Sequence, residues 1–286
     1  MKTKIQIIII SLLCTLSLSA QNKATHITVK NPERAFVGAV LEYKSINTDE
    51  HRFVNVTVPE PITISFSIPI KSQTITPSYE NMMKAVRESV MASGKIKSQQ
   101  NFSFQLKEIK SYEELYWYFG QTINTSTFLG IPVNTKPQKI IAVVDLTQEY
   151  FSINMDFPDN GKLYDKDPQI AKQIDDLIYL GHLSFGRKVT VVVESEMPFF
   201  NLKSAIEEAI TSEEKPISKR SYSILANADI RIMVLGNLSL PKQNPDNPFS
   251  AVISYFQKPV TIDDFGVPLR FSATYIKDNS VFENEY

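Results

Sequence analysis

The stretch that decides the fold is Leu183-Ser184-Phe185-Gly186-Arg187-Lys188-Val189-Thr190-Val191-Val192-Val193-Glu194. Its second half is a run of β-branched residues, which predicts a long strand over residues 182–195. A glycine inside a strand marks a place where another part of the chain comes close. We therefore expect a structural role for Gly186, such as close packing against a helix, in preference to a binding role.

Three further blocks stand at long range from this stretch. The upstream block is Val143–Pro158, and the two downstream blocks are Ala228–Gly236 and Pro268–Val281. Taken in order, the four blocks resemble the thiol-activated, or cholesterol-dependent, cytolysins of the MACPF/CDC superfamily. The resemblance extends over residues 34–286.

The resemblance implies an α+β fold, in which a bent, twisted central antiparallel sheet is flanked by helical clusters and carries a slim β extension. It divides the chain into a signal peptide over residues 1–20 and a cytolysin core over residues 21–286, with the family's domains 1 to 3 interleaved. The sequence contains neither the tryptophan-rich loop nor the threonine-leucine pair of the family's C-terminal β-sandwich. The resemblance is thus to a short form without that membrane-binding domain.

The first 20 residues are expected to be a secretory signal peptide. Lys2 and Lys4 form a basic start, residues 5–18 are largely apolar, and Ala20 offers a cleavage position. A transmembrane anchor is the alternative, but the run is shorter than the roughly 20 residues that a span needs. Cys14 is the only cysteine and lies in this segment, so we expect no thiol chemistry in the secreted chain.

Composition places the chain among globular proteins. Of its 286 residues, 43% are hydrophobic and 21% are charged, which excludes wholesale disorder. The formal net charge of -1 gives no reason to expect nucleic acid as a partner.

The family inserts two pairs of strands per subunit into a membrane, and these strands are folded as short helices beforehand. Such a segment needs a helical face in water and an alternating pattern as a strand. The first candidate segment covers roughly residues 112–137. Pro132 and Pro137 lack the backbone donor that a barrel strand uses, which leaves the limits of this segment open. Its expected membrane-inserting residues are Ile123, Thr125, Thr127, Leu129, Ile131 and Val133.

The second candidate segment covers roughly residues 206–235. On the pattern alone, an ordinary half-buried strand is the preferred interpretation, and the resemblance reverses that preference. We expect both segments to be helical before insertion and to be strands in the pore. The polar strand face is expected to hold Ser223, Asn227, Asp229 and Arg231. The expected membrane-inserting face holds Tyr222, Ile224, Ala226, Ala228, Ile230, Ile232 and Val234.

The resemblance also assigns hinge and structural positions. Gly186 and Arg187 stand in the family's central strand, and Gly236 stands where the family has the first of two glycines at a bend of the sheet. Asn237 occupies the second position, and asparagine tolerates a positive φ better than most residues. We expect residues 237–250, which are rich in proline and asparagine, to block an edge of the sheet before assembly.

The remaining chain gives a coarse secondary structure. Helices are predicted at residues 78–91, with Ser78 as N-cap, at 112–120 and at 198–210. Strands are predicted over residues 53–70 and over 139–157, the latter bent near its middle. Residues 241–248 read as a loop and residues 249–282 as strands and turns.

The function implied by the resemblance is bacterial, secreted and cytolytic: a soluble monomer that assembles on a target membrane as a homo- or hetero-oligomeric ring. A longer cytolysin-like partner with a docking domain is expected to recruit it. We predict no cofactor, no metal and no catalytic residue, so the protein is not expected to be an enzyme. The alternative is a secreted binding or surface protein that shares the fold without pore activity.

Overall fold

The computed structural model describes residues 23–48, 50–93, 102–118, 124–156, 163–164, 166–212, 215–235 and 246–285. The signal-peptide prediction, Ile123 and the hinge pair Gly236 and Asn237 lie outside these residues, as does most of the predicted blocking segment, residues 237–245.

The described residues form strands, α-helices and short 3-10 helices. The strands are β1 (Lys23–Ala24), β2 (Ile27–Thr28), β3 (Val40–Glu42), β4 (Phe53–Val54), β5 (Ile62–Phe66), β6 (Gln73–Ile75), β7 (Ser103–Ile109), β8 (Ile140–Asp156), β9 (Leu177–Ser195), β10 (Asp229–Val234), β11 (Val267–Tyr275) and β12 (Asn284–Glu285). The α-helices are α1 (Tyr79–Ser93), α2 (Thr125–Leu129), α3 (Pro168–Ala171), α4 (Phe199–Thr211), α5 (Lys219–Ala226) and α6 (Ser250–Gln257). The 3-10 helices are Pro32–Arg34, Tyr43–Ser45, Tyr112–Trp117 and Ile174–Asp176.

The two longest strands, β8 and β9, form the spine of the main sheet. They pair antiparallel from Ile140 opposite Ser195 to Asn154 opposite His182, with a register shift between Glu149 and Phe151. We call the part of the sheet that holds residues 140–149 of β8 and 186–195 of β9 its upper half, and the rest its lower half. In the upper half the strand order is β7-β8-β9-β10, and all three pairings are antiparallel. In the lower half β5 and β6 extend the sheet beyond β8, while β11 and β2 extend it beyond β9.

The neighbour of β9 changes near its middle. Below this point β11 pairs with β9 as far as Gly186, and above it β10 pairs with β9 from Val189 onward. The change coincides with the register shift on β8. A register shift of this kind bends a strand and increases its local twist, which accounts for the predicted bend.

Both faces of the upper sheet are covered. One face carries Val144, Val191 and Val193 and packs against α4, α5 and α6. The opposite face carries Val143 and Val192 and packs against residues between β7 and β8. Strands buried on both faces read as near-continuous apolar runs, which is why Val189–Val193 does not alternate.

The structure confirms the predicted α+β class and most predicted elements. The helix predicted at 78–91 is α1, and the Ser78 hydroxyl accepts a hydrogen bond of 3.1 Å from Asn81 N, as an N-cap does. The prediction of strands and turns over residues 249–282 is wrong at its start, because residues 250–257 form α6. Val252, Ile253 and Phe256 are buried there at helical spacing. No helix among the described residues has the length and apolarity that crossing a bilayer requires.

Candidate functional site: two helical segments on the central sheet

Two insertions interrupt the upper half of the sheet, and each joins neighbouring antiparallel strands. The first segment, residues 110–139, leaves β7 at Ile109 and enters β8, whose Ile141 lies opposite Ile109. The second segment, residues 196–228, leaves β9 and returns as β10, with Asp229 opposite Glu194. Both segments therefore begin and end at the same end of the sheet, in positions from which a hairpin could continue the strands.

Local signals account for the helical parts of the first segment, which are the 3-10 helix Tyr112–Trp117 and α2. The expectation of helix throughout residues 112–137 is wrong over residues 130–137, which form turns and irregular chain. Ser111 and Glu114 form a capping box at the 3-10 helix Tyr112–Trp117. Asn124 caps α2 by accepting a hydrogen bond of 3.0 Å from Thr127 N, and Gly130 ends it with a left-handed φ of 73°. These short elements cannot bury much apolar surface by themselves and depend on the sheet beneath them.

The predicted inserting residues of the first segment do not share a face in this state. Thr125 and Leu129 are buried together at helical spacing, whereas Thr127 is exposed. Ile131 and Val133 are half-buried against the apolar cluster on this side of the sheet. The residues that would share one face of a strand are thus partly buried and partly exposed in this state.

A polar network fastens the first segment to β9 and β10. The Tyr112 hydroxyl donates a hydrogen bond of 2.7 Å to the buried carboxylate of Glu194, which also accepts from the Arg231 guanidinium. Burial, reinforced by the bond to Glu194, raises the pKa of Tyr112 to about 12. Lys139, at the end of the segment, pairs with Asp229 at 2.9 Å. Releasing the first segment therefore requires breaking charge-assisted bonds to the sheet.

The second segment is a helical hairpin that rests on the opposite face. Helix α4 buries Leu202, Ile206 and Ala209 against the sheet. The Glu208 carboxylate reaches the start of α5, where it accepts hydrogen bonds from Ser218 N at 2.6 Å, from Ser218 Oγ at 2.9 Å and from Ser221 Oγ. These bonds hold the pKa of Glu208 below its usual value.

The expectation that residues 206–235 are helical throughout is wrong over residues 229–234, which form β10. Residues 229–234 already complete the sheet because Ile230, Ile232 and Val234 pack with the apolar cluster under α4, while Arg231 turns to Glu194 on the other face. This distribution follows the predicted alternation.

The residues predicted ahead of β10 are in or next to α5. Ile224 is buried, Ala226 and Tyr222 are exposed, and Ala228 is partly buried. Large apolar side chains are left on the surface of the second segment: Met197, Phe200 and Tyr222 are exposed by 36%, 78% and 42%. Phe200 in particular leaves most of its apolar surface in water in the helical state.

The bend of the sheet has a tight contact at Gly186. A Cβ at this position would lie 1.9 Å from the Gln148 carbonyl oxygen and 2.8 Å from Leu269 Cδ1. The close packing expected of Gly186 is therefore against neighbouring strands, and the expected contact with a helix is wrong. Gly266, with φ +83°, lies against Gly186, and a Cβ on Gly266 would lie 2.3 Å from the Gly186 carbonyl oxygen. The close approach of the two backbones therefore requires glycine at both positions.

Arg187 is fully buried at the bend and binds the far end of α6. Its guanidinium donates to the carbonyls of Tyr255 at 2.9 Å and Lys258 at 2.6 Å, and pairs with Asp264 at 2.7 Å. It also lies between the rings of Tyr150 and Tyr255, 5.5 and 5.1 Å from their centroids. Arg187, predicted from the resemblance as a structural position, is the link between the central strand and α6.

The near end of α6 is tied to the second segment through Asn247, which is buried. Its amide donates to the Ala209 carbonyl at 2.9 Å and to Ser212 Oγ at 3.2 Å, at the end of α4. Its side-chain oxygen accepts from Phe249 N at 2.9 Å. The Ala209 carbonyl at the end of α4 also accepts from Ser212 Oγ at 3.2 Å, so Asn247 adds a second donor there and joins α4 to the segment that leads into α6.

His26 and His182 lie close together on the sheet, with ring centroids 5.9 Å apart, and His26 Nδ1 lies 2.8 Å from Ser272 Oγ. His182 Nδ1 lies 2.8 Å from Asn154 Oδ1, and burial together with His26 lowers the pKa of His182. No group of three or more histidine, cysteine, aspartate or glutamate residues in the described ranges could hold a metal ion.

Comparisons with known proteins were made by sequence and by structure. No family model matches the sequence, and no curated protein matches it. Solved structures match over 93% of this chain: a non-haemolytic pneumolysin from Streptococcus pneumoniae with a TM-score of 0.70 and 18% identity, an early prepore of intermedilysin with CD59 with 0.70 and 19%, and listeriolysin O with 0.69 and 14%. This chain has the fold of the cholesterol-dependent cytolysins.

The shared cytolysin fold covers 60–62% of the length of those three proteins. At these identities the likeness concerns the fold alone. The sequence resemblance placed its two candidate segments where the structure has insertions between neighbouring strands, whereas the hinge pair that it predicted, Gly236 and Asn237, lies outside the described residues. It missed Asn247, Glu208 and the Glu194 network, because their partners are distant in the sequence or carry no distinguishing local pattern.

Proposed function

We propose that this protein is a secreted, pore-forming protein whose monomers assemble into rings and insert two β-hairpins each into a target membrane. The carrying observation is the position of the first and second segments, each of which joins adjacent antiparallel strands at one end of the sheet. Each segment is long enough for two membrane-crossing strands and a turn, since one such strand needs about 9–11 residues.

The distribution of apolar residues supports a second state for the second segment. Met197, Phe200 and Tyr222 are exposed in the helical hairpin. Ile230, Ile232 and Val234 already form the apolar face of a strand that Tyr222, Ile224, Ala226 and Ala228 would prolong. In that extended state the apolar residues would face lipid and the polar ones would face water.

Ring assembly is proposed to proceed by strand addition between central sheets. Backbone pairing at a sheet edge depends little on side-chain identity, so rings with a related chain are physically reasonable. We propose that a longer cytolysin-like partner supplies membrane docking and recruits this chain.

Vesicle leakage and electron microscopy test this function. We expect residues 21–286 alone to release little dye from cholesterol-containing vesicles, and to release it and form rings when a longer relative with a docking domain is added. Matched leakage with and without this chain, together with no mixed rings, would contradict the proposal.

A second candidate function is binding without pore formation. It is favoured by one comparison: a pneumolysin described as non-haemolytic shares the fold with a TM-score of 0.70. This function predicts that the protein stays monomeric and that no partner makes it release dye.

A further inference from the structure

We propose that one particular register joins neighbouring copies of this chain in the ring: β10 of one copy pairs with β7 of the next so that Asp229 lies opposite Lys107. This inference rests on the proposed function. Its occupant is a second copy of this chain, and its basis is the match of charge and apolar side chains along the two edges.

The two strands are suited to each other by direction. Among the described residues, β7 pairs only with β8 and β10 pairs only with β9, so both stand at edges of the upper sheet. The pairings β7–β8, β8–β9 and β9–β10 are all antiparallel. Two copies placed side by side in the same orientation therefore present β10 and β7 to each other in antiparallel directions.

The two faces of the sheet restrict the register to even offsets. Leu106 lies opposite Val144 and belongs to the face that α4 covers, as do Ile230 and Ile232. Lys107 lies opposite Val143 on the other face, which also carries Arg231. Sliding β10 along β7 by an odd number of residues would set the apolar side chains of one copy beside the polar side chains of the next.

Four registers remain, and they differ in which β10-side residue meets Lys107: Asn227, Asp229, Arg231 or Met233. With Asp229 opposite Lys107, Ile230 meets Leu106 and Ile232 meets Phe104. With Arg231 opposite Lys107, Ile230 meets the Glu108 carboxylate. The Met233 register is worse, because Ile230 then meets Lys110 and Ile232 meets Glu108.

Charge separates the registers further, because apolar side chains also meet in the Asn227 and Arg231 registers; the Arg231 register sets Ile232 against Leu106. The Asn227 register also sets Ile230 against an apolar residue, Phe104, but leaves Lys107 without an opposite charge. Only the Asp229 register pairs opposite charges directly across the strands, and the Arg231 register sets two like charges against each other. Opposite charges in cross-strand positions stabilise a sheet and like charges destabilise it.

Disulfide trapping tests the register without the unidentified partner. A histidine tag after Tyr286 would hold the mature chain on phosphatidylcholine vesicles that contain a nickel-chelating lipid, which replaces docking. Within one subunit two strands separate β7 from β10, so positions 107 and 229 are about 14 Å apart and cannot be bridged internally. The mature chain as predicted has no other cysteine.

The variant K107C/D229C is expected to give a ladder of cross-linked oligomers on oxidation. The control pairs Q105C/D229C and K107C/R231C report the Asn227 and Arg231 registers and are expected to give little product. A ladder from either control in preference to K107C/D229C would overturn the register. Rings seen by microscopy with no ladder from any pair would overturn the register and leave the proposed function standing. The absence of any oligomer on the vesicles would overturn the pairing between copies of this chain, whereas the proposed function is overturned only if rings also fail to form with the longer relative.

A single substitution tests the register independently, because the Asp229 and Arg231 registers predict opposite changes in the rate of ring assembly. K107E sets like charges together in the Asp229 register and is expected to slow ring assembly roughly threefold to tenfold, from the size of cross-strand charge effects. In the Arg231 register the same substitution would create an attraction and speed assembly, which would contradict the inference. The double variant K107E/D229K restores opposite charges across the strands. Because D229K also removes the Lys139–Asp229 pair, its reference is D229K alone, and K107E/D229K is expected to assemble faster than D229K.

Discussion

Arg187 and Asp264 form a 2.7 Å ion pair that fastens the loop after α6 to the bend of the central strand. The opposite end of α6 is preceded by Asn247, which binds the last turn of α4. Helix α6 is therefore held at one end by the central strand β9 and at the other by the second segment. In the proposed function these contacts have to break before the second segment can leave the sheet.

Replacing Arg187 by alanine is expected to lower the free energy of unfolding by about 3–5 kcal/mol, the usual cost of removing one partner of a buried ion pair. The backbone carbonyls of Tyr255 and Lys258 would lose their donor as well. R187K keeps the charge without the planar fork and is expected to recover less than half of the loss. Urea denaturation measures both variants, and a loss below about 1 kcal/mol for R187A would contradict this account.

Gly186→Ala is expected to destabilise the protein strongly, because its Cβ would lie 1.9 Å from a backbone oxygen that cannot move aside alone. The cost should reach or exceed the about 1–3 kcal/mol typical of overpacking. Gly181→Ala on the same strand is the control, since its Cβ would come no nearer than 3.7 Å to a neighbour. Thermal unfolding of both variants should separate them clearly, and equal melting temperatures would show that the bend is not tightly packed.

Asn247→Ala is expected to loosen the end of α4, because the Ala209 carbonyl loses the amide donor and keeps the 3.2 Å bond from Ser212 Oγ, at a cost of about 0.5–1.5 kcal/mol. Hydrogen exchange of amides in residues 206–212 should become faster. Asn227→Ala is the matched control, because Asn227 also binds a helix-end carbonyl, that of Ser223 at 2.7 Å, but is exposed. Exchange that is unchanged over residues 206–212 would disprove the coupling.

Acid is expected to weaken the contact between α4 and α5. The native pKa of Glu208 is lowered, so its stabilising contribution is complete above the pKa of the unfolded chain and is lost as pH falls through the lower native pKa. Hydrogen exchange at α5 should therefore accelerate on acidification, and E208Q should show the faster exchange already at neutral pH. E207Q is the control, since Glu207 makes only an exposed pair with Lys203 at 3.7 Å.

The local sequence pattern predicted the long strands β8 and β9. It did not decide the structure where helical and strand periodicities overlap. The valine run around Val191 could be assigned to a strand because it is buried on both faces. Residues 222–226 fit both periods, and helical burial of Ile224 and Leu225 wins in this state because α4 lies beside them. Helix α6 was missed because its buried face is defined by the sheet and not by flanking caps.

The contacts that hold the two segments could not be predicted from sequence. Arg187 finds its acceptors around residues 255–264, and Glu194 meets Tyr112 and Arg231 from two different insertions. Such bonds depend on which strands become neighbours, and a single sequence carries no signal for that choice.

The most direct test of the central claim is the environment of single cysteines along residues 224–232 before and after assembly on membranes. An environment-sensitive dye placed at Ile224, Ile230 or Ile232 should move into lipid, and one at Asn227, Asp229 or Arg231 should remain in water. This alternation is the result expected if the second segment becomes a membrane strand. The same environment at both sets of positions, in protein that has bound and assembled, would contradict the account.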